Sequence, residues 1–504
     1  MTTQPDSGSL IHVYGSDRVI HRGLMQLVLM SILAMAMMAI SAINVALPSI
    51  ESSLGASNSQ VQWMLAGYAL VYGMVLVPAG RVGDVLGRSS VFMVGLAVFA
   101  LGSLGCAVAQ DPIWLNAMRI AQGVGAGIAS PQVNGAIVQY FNGLARAKAF
   151  AMFGLVVSVS VAVAPSITGV LINWLGAETG WRASFFWNVP IGVTALVAGI
   201  RWLPFETERH RRAQRATGTL ASHRIDLDPL GMVLLTGSVL CTMMPFMIKT
   251  LASFGLLLVA GVLGFTWVRW ERAHKARGGE PMVDLSLFAH RSFTNGVLVS
   301  GVQFLGATSI FTVLALYVQS GLGVSAIVSG LLGLPNAAAS AWASLWAGHR
   351  VLNNGRRIVA WAFVPHLAGI AGTMMIAHFV ESGDLDALWL AAPLVLSGIG
   401  VGAINSANQT LALSDIPVEV GGTSGAVKQV AERMGTAVGN AMISGTLFAG
   451  TAAAGWALGF QLAFGLIGVV LLVAAVLAVL DLRMLGPGTA TNTWVPARSN
   501  NLEP

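Results

Sequence analysis

Of 504 residues, 55% are hydrophobic and 10% charged, where a soluble chain carries about 25% charged residues. That balance suits a chain solvated by lipid, and it excludes an ordinary soluble enzyme. The formal charge of +6 does not point to nucleic acid, because no polar domain is large enough to present a basic face. Cys106 and Cys241 both lie in apolar runs, so a disulfide or metal site has no support and no cofactor is expected.

The chain is polar to about Arg22. The first apolar run, 24–48, is too long for a signal-peptide core and reads as a retained span. Further apolar segments follow at 60–80, 90–110, 113–134, 148–172, 184–203, 229–249, 251–270, 293–318, 324–348, 358–379, 387–411, 423–449 and 456–481. The weakest division is at Lys249-Thr250, the sole polar turn in 229–270. The expectation is an all-α integral membrane protein with fourteen transmembrane helices.

Lys and Arg set its orientation. Eighteen lie in the loops after segments two, four, six, eight and ten, from Arg81 to Arg357; the opposite loops hold two, Arg182 and Lys249. The basic side is therefore expected to be cytoplasmic, with both termini there, in agreement with Arg18 and Arg22. The opposite loops carry acids: Glu51, Asp111, Glu178, Glu381, Asp384 and Asp386.

Two charged stretches, 201–228 and 268–292, interrupt the apolar chain. The expected plan is a cytoplasmic tail (1–23), a six-helix bundle (24–203), a linker (204–228), a two-helix insert (229–270), a linker (271–292), a second six-helix bundle (293–481) and a tail (482–504). An internal repeat supports pseudo-symmetric halves. AGRVGDVLGR (79–88) follows the second span of the first bundle, and AGHRVLNNGR (347–356) the second span of the last. Repeated halves around a midplane site are a transporter architecture.

The stretch GRVGDVLGRSS (80–90) concentrates ions on a short bend. Gly80, Gly83 and Gly87 permit a tight turn and close approach. Asp84 stands four residues before Arg88, helical spacing for an ion pair. It could instead face the start of a neighbouring helix, whose positive end favours an anion. A pair that forms in one conformation and breaks in another would be a latch; an ordinary basic turn is the plainer reading.

Arg119 lies well inside the fourth apolar run with Gln122 one turn away. Such an arginine faces a cavity or a partner, or it snorkels to the interface. Pro165 would bend the fifth segment, with Gly169 four residues on. Glu432, with Lys428 at i−4, is the clearest intramembrane acid: a structural ion pair, or a group that takes up protons. Polar cavity candidates are Ser41, Asn44, Gln62, Tyr68, Gln132, Asn134, Gln303 and Asn336; the plainer reading of each is interhelical glue.

GRVGDVLGRSS resembles the loop 2–3 signature of the major facilitator superfamily. It departs at Val85, where the family usually has Arg, so the remaining pairing is expected from Arg81 and Arg88. NAMRIAQGVGAG (116–127) resembles that family's Arg-x-x-Gln-Gly motif, whose arginine the resemblance links to proton coupling. The segment around Pro165 resembles its antiporter motif, with Ala164 and Thr168 replacing glycines. INVALPSI (43–50), VQWMLAGYAL (61–70), GWRASFFWNVPIGV (180–193) and TSGAVKQVAERMGTAVGNA (423–441) are similar to the fourteen-span drug:proton antiporter branch. Many of that branch carry an acid five residues before Asn44; here the position is Ala39, and no Asp or Glu occurs in 24–48.

The resemblance implies a monomeric secondary transporter of the cytoplasmic membrane, exchanging hydrophobic or cationic drugs for protons. Export of an endogenous metabolite or lipid is the alternative, favoured by the missing acid. No Gly-x-x-x-x-Gly-Lys-Ser/Thr run offers ATP as direct energy source. A receptor or membrane enzyme would need a ligand or catalytic cluster that the sequence does not display.

Overall fold

The computed structural model describes residues 10–12, 19–206, 208–209, 226–248 and 250–487. Most of the expected N-terminal tail, including Arg18, the middle of the first linker, Lys249 and the C-terminal tail beyond 487 lie outside the described residues. Within the expected N-terminal tail, Leu10–His12 pairs antiparallel with Val19–His21. Ile11 and Ile20 are buried there against the first helices.

The helices are α1 (Arg22–Leu54), α2 (Asn58–Leu86), α3 (Arg88–Ala107), α4 (Pro112–Tyr140), α5 (Gly143–Phe186), α6 (Asn188–Trp202), α7 (Pro229–Ile248), α8 (Leu256–Ala276), α9 (Arg291–Ala307), α10 (Ser309–Leu316), α11 (Ala326–Leu331), α12 (Gly333–Glu381), α13 (Ala391–Ala412) and α14 (Gly421–Leu485). Among the described residues, ten helical runs are long and apolar enough to cross a membrane. Three run on through a backbone break. Gly176 (φ 81°) interrupts α5, Asn354 (φ −132°) interrupts α12, and Ala454 with Gly455 (φ 87°) interrupts α14. At 1.5 Å per residue, the 60 residues of Gly143–Trp202 would reach about 90 Å if straight, three times a bilayer's hydrocarbon core. The breaks are what return the chain. Helix α4 is absent from the ten because it carries Arg119, Gln122, Gln132 and Asn134, all buried against protein.

Local chemistry ends the helices where the apolar runs stop. Gly55 closes α1 in the left-handed region (φ 62°), and Ser57 with Gln60 forms a capping box at the start of α2. Asp111 caps α4 through the Ile113 and Trp114 amides at 3.0 and 2.8 Å, with Pro112 beginning the helix.

One hydrophobic core gathers residues of α1–α7 with Phe293 of α9 and Ala426 and Val430 of α14, and a second gathers α9, α10, α12, α13 and α14 with Ala147 of α5. Proline places some of the interhelical bonds. Pro165 has no N–H for the Val161 carbonyl, and Ser41 of α1 donates to it at 2.6 Å. Pro78 likewise frees the Met74 carbonyl, and Thr236 of α7 donates to it at 3.4 Å. Helix α7 packs against both α2 and α14, so it stands beside the junction of the two cores.

Candidate functional site

The two halves meet at the end bearing GRVGDVLGRSS. There the Asp84 side chain is 1% exposed. Its Oδ1 accepts from Arg88 Nε and Nη2 at 2.9 and 2.6 Å and from the Gly422 amide at 3.0 Å. Its Oδ2 accepts from the Thr423 amide and hydroxyl at 2.7 and 2.8 Å. Both arrangements considered from the sequence are present at once: Asp84 is paired with Arg88, and it caps the start of α14 in the other half. Arg88 extends the junction, donating to the carbonyls of Gly135 and Val418 at 3.1 and 2.5 Å and to Gln139 Oε1 at 2.5 Å.

Small residues permit this approach. A Cβ on Gly80 would lie 3.0 Å from the Gly422 carbonyl oxygen, and one on Gly83 would overlap Gln132. Gly87 has φ 120°, and a Cβ there would meet the Glu208 carboxylate, which accepts from the Ser90 amide. Arg81 does not join Asp84, contrary to the expected pairing. It lies within reach of the segments flanking α7 and α8, and pairs with Glu280 at 2.8 Å and the Asp226 carbonyl at 3.2 Å.

The repeat in the second half makes an equivalent approach. A Cβ on Gly348 would lie 2.3 Å from Ala151 Cβ of α5. Gly80 thus meets α14 of the other half, and Gly348 meets α5. The acid within the repeat occurs in the first half alone. Leu352 replaces the acid within the repeat, yet Arg356 finds Asp481 at 3.2 Å, carried by the far end of α14. Ser292 and Asn295 complete that cluster, Ser292 accepting from Arg356 and Asn295 donating to Asp481. It fastens the second half to itself, whereas Asp84 reaches across the junction.

Arg119 is 1% exposed and does not snorkel. It donates to the carbonyls of Met64 and Ala39 at 3.1 and 3.2 Å and to Gln122 Oε1 at 3.1 Å. Gln122 in turn donates to Ser103 at 2.8 Å. The Arg119 guanidinium stacks over the Tyr68 ring at 4.5 Å. Tyr68 meets Tyr72 edge-on at 5.9 Å, and Arg433 of α14 lies 4.6 Å over Tyr72. Sequence reasoning missed Tyr72 and Arg433 as members of this row. The i, i+4 spacing of the tyrosines was the available signal. Lys428 donates to Glu432, with their side chains 3% and 14% exposed, so the ion-pair reading describes their arrangement.

The remaining candidates divide. Ser41, Gln132 and Asn336 bond backbone carbonyls of neighbouring helices, Val161, Ala79 and Leu394. Asn134 Oδ1 accepts from Gln409 of the other half at 3.0 Å, while its Nδ2 has no partner. Gln303 is 1% exposed with both side-chain polar atoms unpartnered. Asn44 and Gln62 are exposed. Gly169 does not mediate tight packing, since a Cβ there would come no closer than 4.0 Å to Val45.

The sequence and the fold have counterparts in known proteins. The Major Facilitator Superfamily profile matches residues 29–440. A probable actinorhodin transporter of Streptomyces coelicolor is 30% identical over 414 residues, covering 81% of this chain and 69% of its own length. A puromycin resistance protein of Streptomyces alboniger is 29% identical over 416 residues, covering 82% and 79%. In fold, the chain is similar to the crystal structure of the human organic anion transporter MFSD10 (TETRAN), with a TM-score of 0.65 at 14% identity, over 91% of this chain and 99% of that one. The chain belongs to the Major Facilitator Superfamily and is a multi-pass membrane transporter of small molecules, not an enzyme.

Proposed function

We propose that this transporter is an exporter of the cytoplasmic membrane, working as a monomer by alternating access with protons as the coupling ion. The observation that carries the reading is the junction around Asp84. It is tightly closed, but it is polar and incompletely satisfied. Asn134 Nδ2 and Ser424 Oγ are buried there without partners. Each such group costs about 1–3 kcal/mol until water reaches it. An interface that opens to water satisfies them in its other state. A relative named a resistance protein supports the outward direction.

Fourteen crossings follow if the three broken runs each cross twice and α4 is added to the ten runs. Helices α7 and α8 then form an insert between two six-helix halves, and the basic end is cytoplasmic with both termini on that side. Glu432 lies about 17 Å along α14 from its start, and it is our candidate for the coupled proton, released or taken up as Lys428 shifts.

Drug susceptibility of cells expressing the protein, with and without a protonophore, tests the reading. Resistance that vanishes with the proton gradient is expected, and resistance that survives it would remove proton coupling. Glu432→Gln with coupling undiminished would remove Glu432 from the mechanism.

A further inference from the structure

We propose that the exported compounds are aromatic anions, held at the junction of the halves by Arg119 and Arg433 with the rings of Tyr68 and Tyr72 between them. The inference rests on the export reading and names the cargo class. It begins with a charge inventory. Apart from the Asp84–Arg88 pair, three cations among the described residues lie in the row or beside it on α14: Arg119, Arg433 and Lys428. One carboxylate, Glu432, answers them, and it is committed to Lys428. Arg119 has only carbonyls, an amide and ring faces as partners. Arg433 makes no ion pair within 4.0 Å and its Nε is buried without a partner. Two guanidinium charges therefore lie at membrane depth without a counter-ion, which is costly unless something supplies one.

The row is closed in this conformation, with Tyr68, Tyr72 and Arg119 each at most 1% exposed, and opening of the junction would free its flat faces for a planar ligand. Each guanidinium lies on the face of one tyrosine, at 4.5 and 4.6 Å, and the tyrosines meet edge-on. Guanidinium planes and aromatic faces are the surfaces on which flat rings stack, and the guanidinium fork takes a carboxylate, sulfonate or phenolate. One arginine belongs to each half, so a ligand bridging them would span the junction that opens. Gly73 keeps this approach clear: a Cβ there would crowd Met243 of α7 at 3.3 Å and reach Arg433 Cβ at 3.8 Å.

The same inventory disfavours cations. A lipophilic cation needs an unpaired acid, and the carboxylate beside the row, Glu432, is committed to Lys428. Energetics agree. An inside-negative potential drives a monoanion outward by roughly 50-fold per 100 mV, so anion export does not need an acid in α1.

The test uses the full-length protein in proteoliposomes, with fluorescein as the aromatic anion and ethidium as the aromatic cation. Fluorescein flux well above that of ethidium is expected. Arg433→Gln should lower fluorescein flux at least tenfold, mainly through KM, and Arg433→Lys should recover much of it by restoring charge. Ethidium flux without fluorescein flux would overturn the inference and leave export standing, as would undiminished fluorescein flux in Arg433→Gln. Vesicles that move neither probe would overturn the inference and the export reading together.

Discussion

Arg119 donates through Nη1 to the main-chain carbonyl of Ala39, at 3.2 Å. Ala39, the position at which many members of the branch that the sequence resembles carry an acid, is thus in contact with this arginine, but through its backbone. Ala39 is 3% exposed and packs in the same cluster as Tyr68. Ala39→Asp puts a carboxylate on the residue that Arg119 already holds and cancels one of the two unanswered charges. Ethidium flux should rise severalfold and fluorescein flux should fall. Flux assays with both probes check this; an unchanged ratio would separate position 39 from charge selection.

Asp84 accepts five hydrogen bonds, three of them from α14 of the other half. Asp84→Asn keeps the shape and one acceptor oxygen but loses the charge. Charge-assisted bonds are worth about 1.5–3 kcal/mol, so the closed population should drop by roughly tenfold or more. Transport should fall while the protein stays inserted and folded. Labelling of a Ser424→Cys reporter from the basic side should speed up correspondingly, since Ser424 is fully buried in the closed junction. Full activity and unchanged labelling would make the stretch a topological turn.

Much of this was legible because lipid imposes simple patterns. Apolar runs, basic loops and the repeated Gly-Arg spacing located the helices, the junction and both repeats. The alternatives left open at Asp84 were not alternatives, since one carboxylate has two oxygens and serves both partners. The partners of Arg81, Arg356 and Arg433 were not legible. Glu280, Asp481 and Tyr72 lie 199, 125 and 361 residues away in sequence, and no local spacing encodes such contacts. Ser41, Gln132 and Asn336 look alike as lone polar residues in apolar runs. Only the bent or facing backbone shows which carbonyl each one serves.

Gly80 and Gly348 test the pseudo-symmetry sterically. A Cβ at either position meets the opposite half, α14 backbone at 3.0 Å or Ala151 Cβ at 2.3 Å. Gly80→Leu and Gly348→Leu should each prevent closure at the basic end and abolish turnover, while ligand binding in the open state persists. Binding of fluorescein by fluorescence anisotropy, beside flux, separates the two effects. Wild-type flux in either variant would show that the halves do not close through these contacts.

The contact of the Asp226 carboxylate with the Glu280 amide should be insensitive to mild acid. Burial raises the pKa of Asp226, but this is outweighed by hydrogen bonds from the Asp228 amide, His274 and the Glu280 amide, so the net shift is downward from 3.8. A depressed carboxylate stabilises the fold above its unfolded pKa, and that contribution is lost as pH falls through the lower folded value. Protection of the Glu280 amide against hydrogen exchange, referenced to the intrinsic rate, should therefore hold from neutral pH to about 4 and decline below it. Asp226→Asn should show the weakened protection already at neutral pH. A decline between pH 7 and 5 in the wild type would place the titrating group elsewhere.

The bond from Ser41 to Val161 exists because Pro165 cannot make its own. Removing the hydroxyl leaves a buried carbonyl without a donor, so Ser41→Ala should cost about 1–3 kcal/mol of stability. Pro165→Ala restores an N–H at the right place in the helix, and in that background the carbonyl no longer depends on Ser41. The two substitutions should then be non-additive, with a coupling of about 1 kcal/mol or more in a double-mutant cycle. Thr236→Val against Pro78→Ala should behave alike but more weakly, since that bond is 3.4 Å long. Thermal unfolding in detergent measures all the corners. Additive effects at Ser41 and Pro165 would mean that the bend, rather than the freed carbonyl, brings α1 and α5 together.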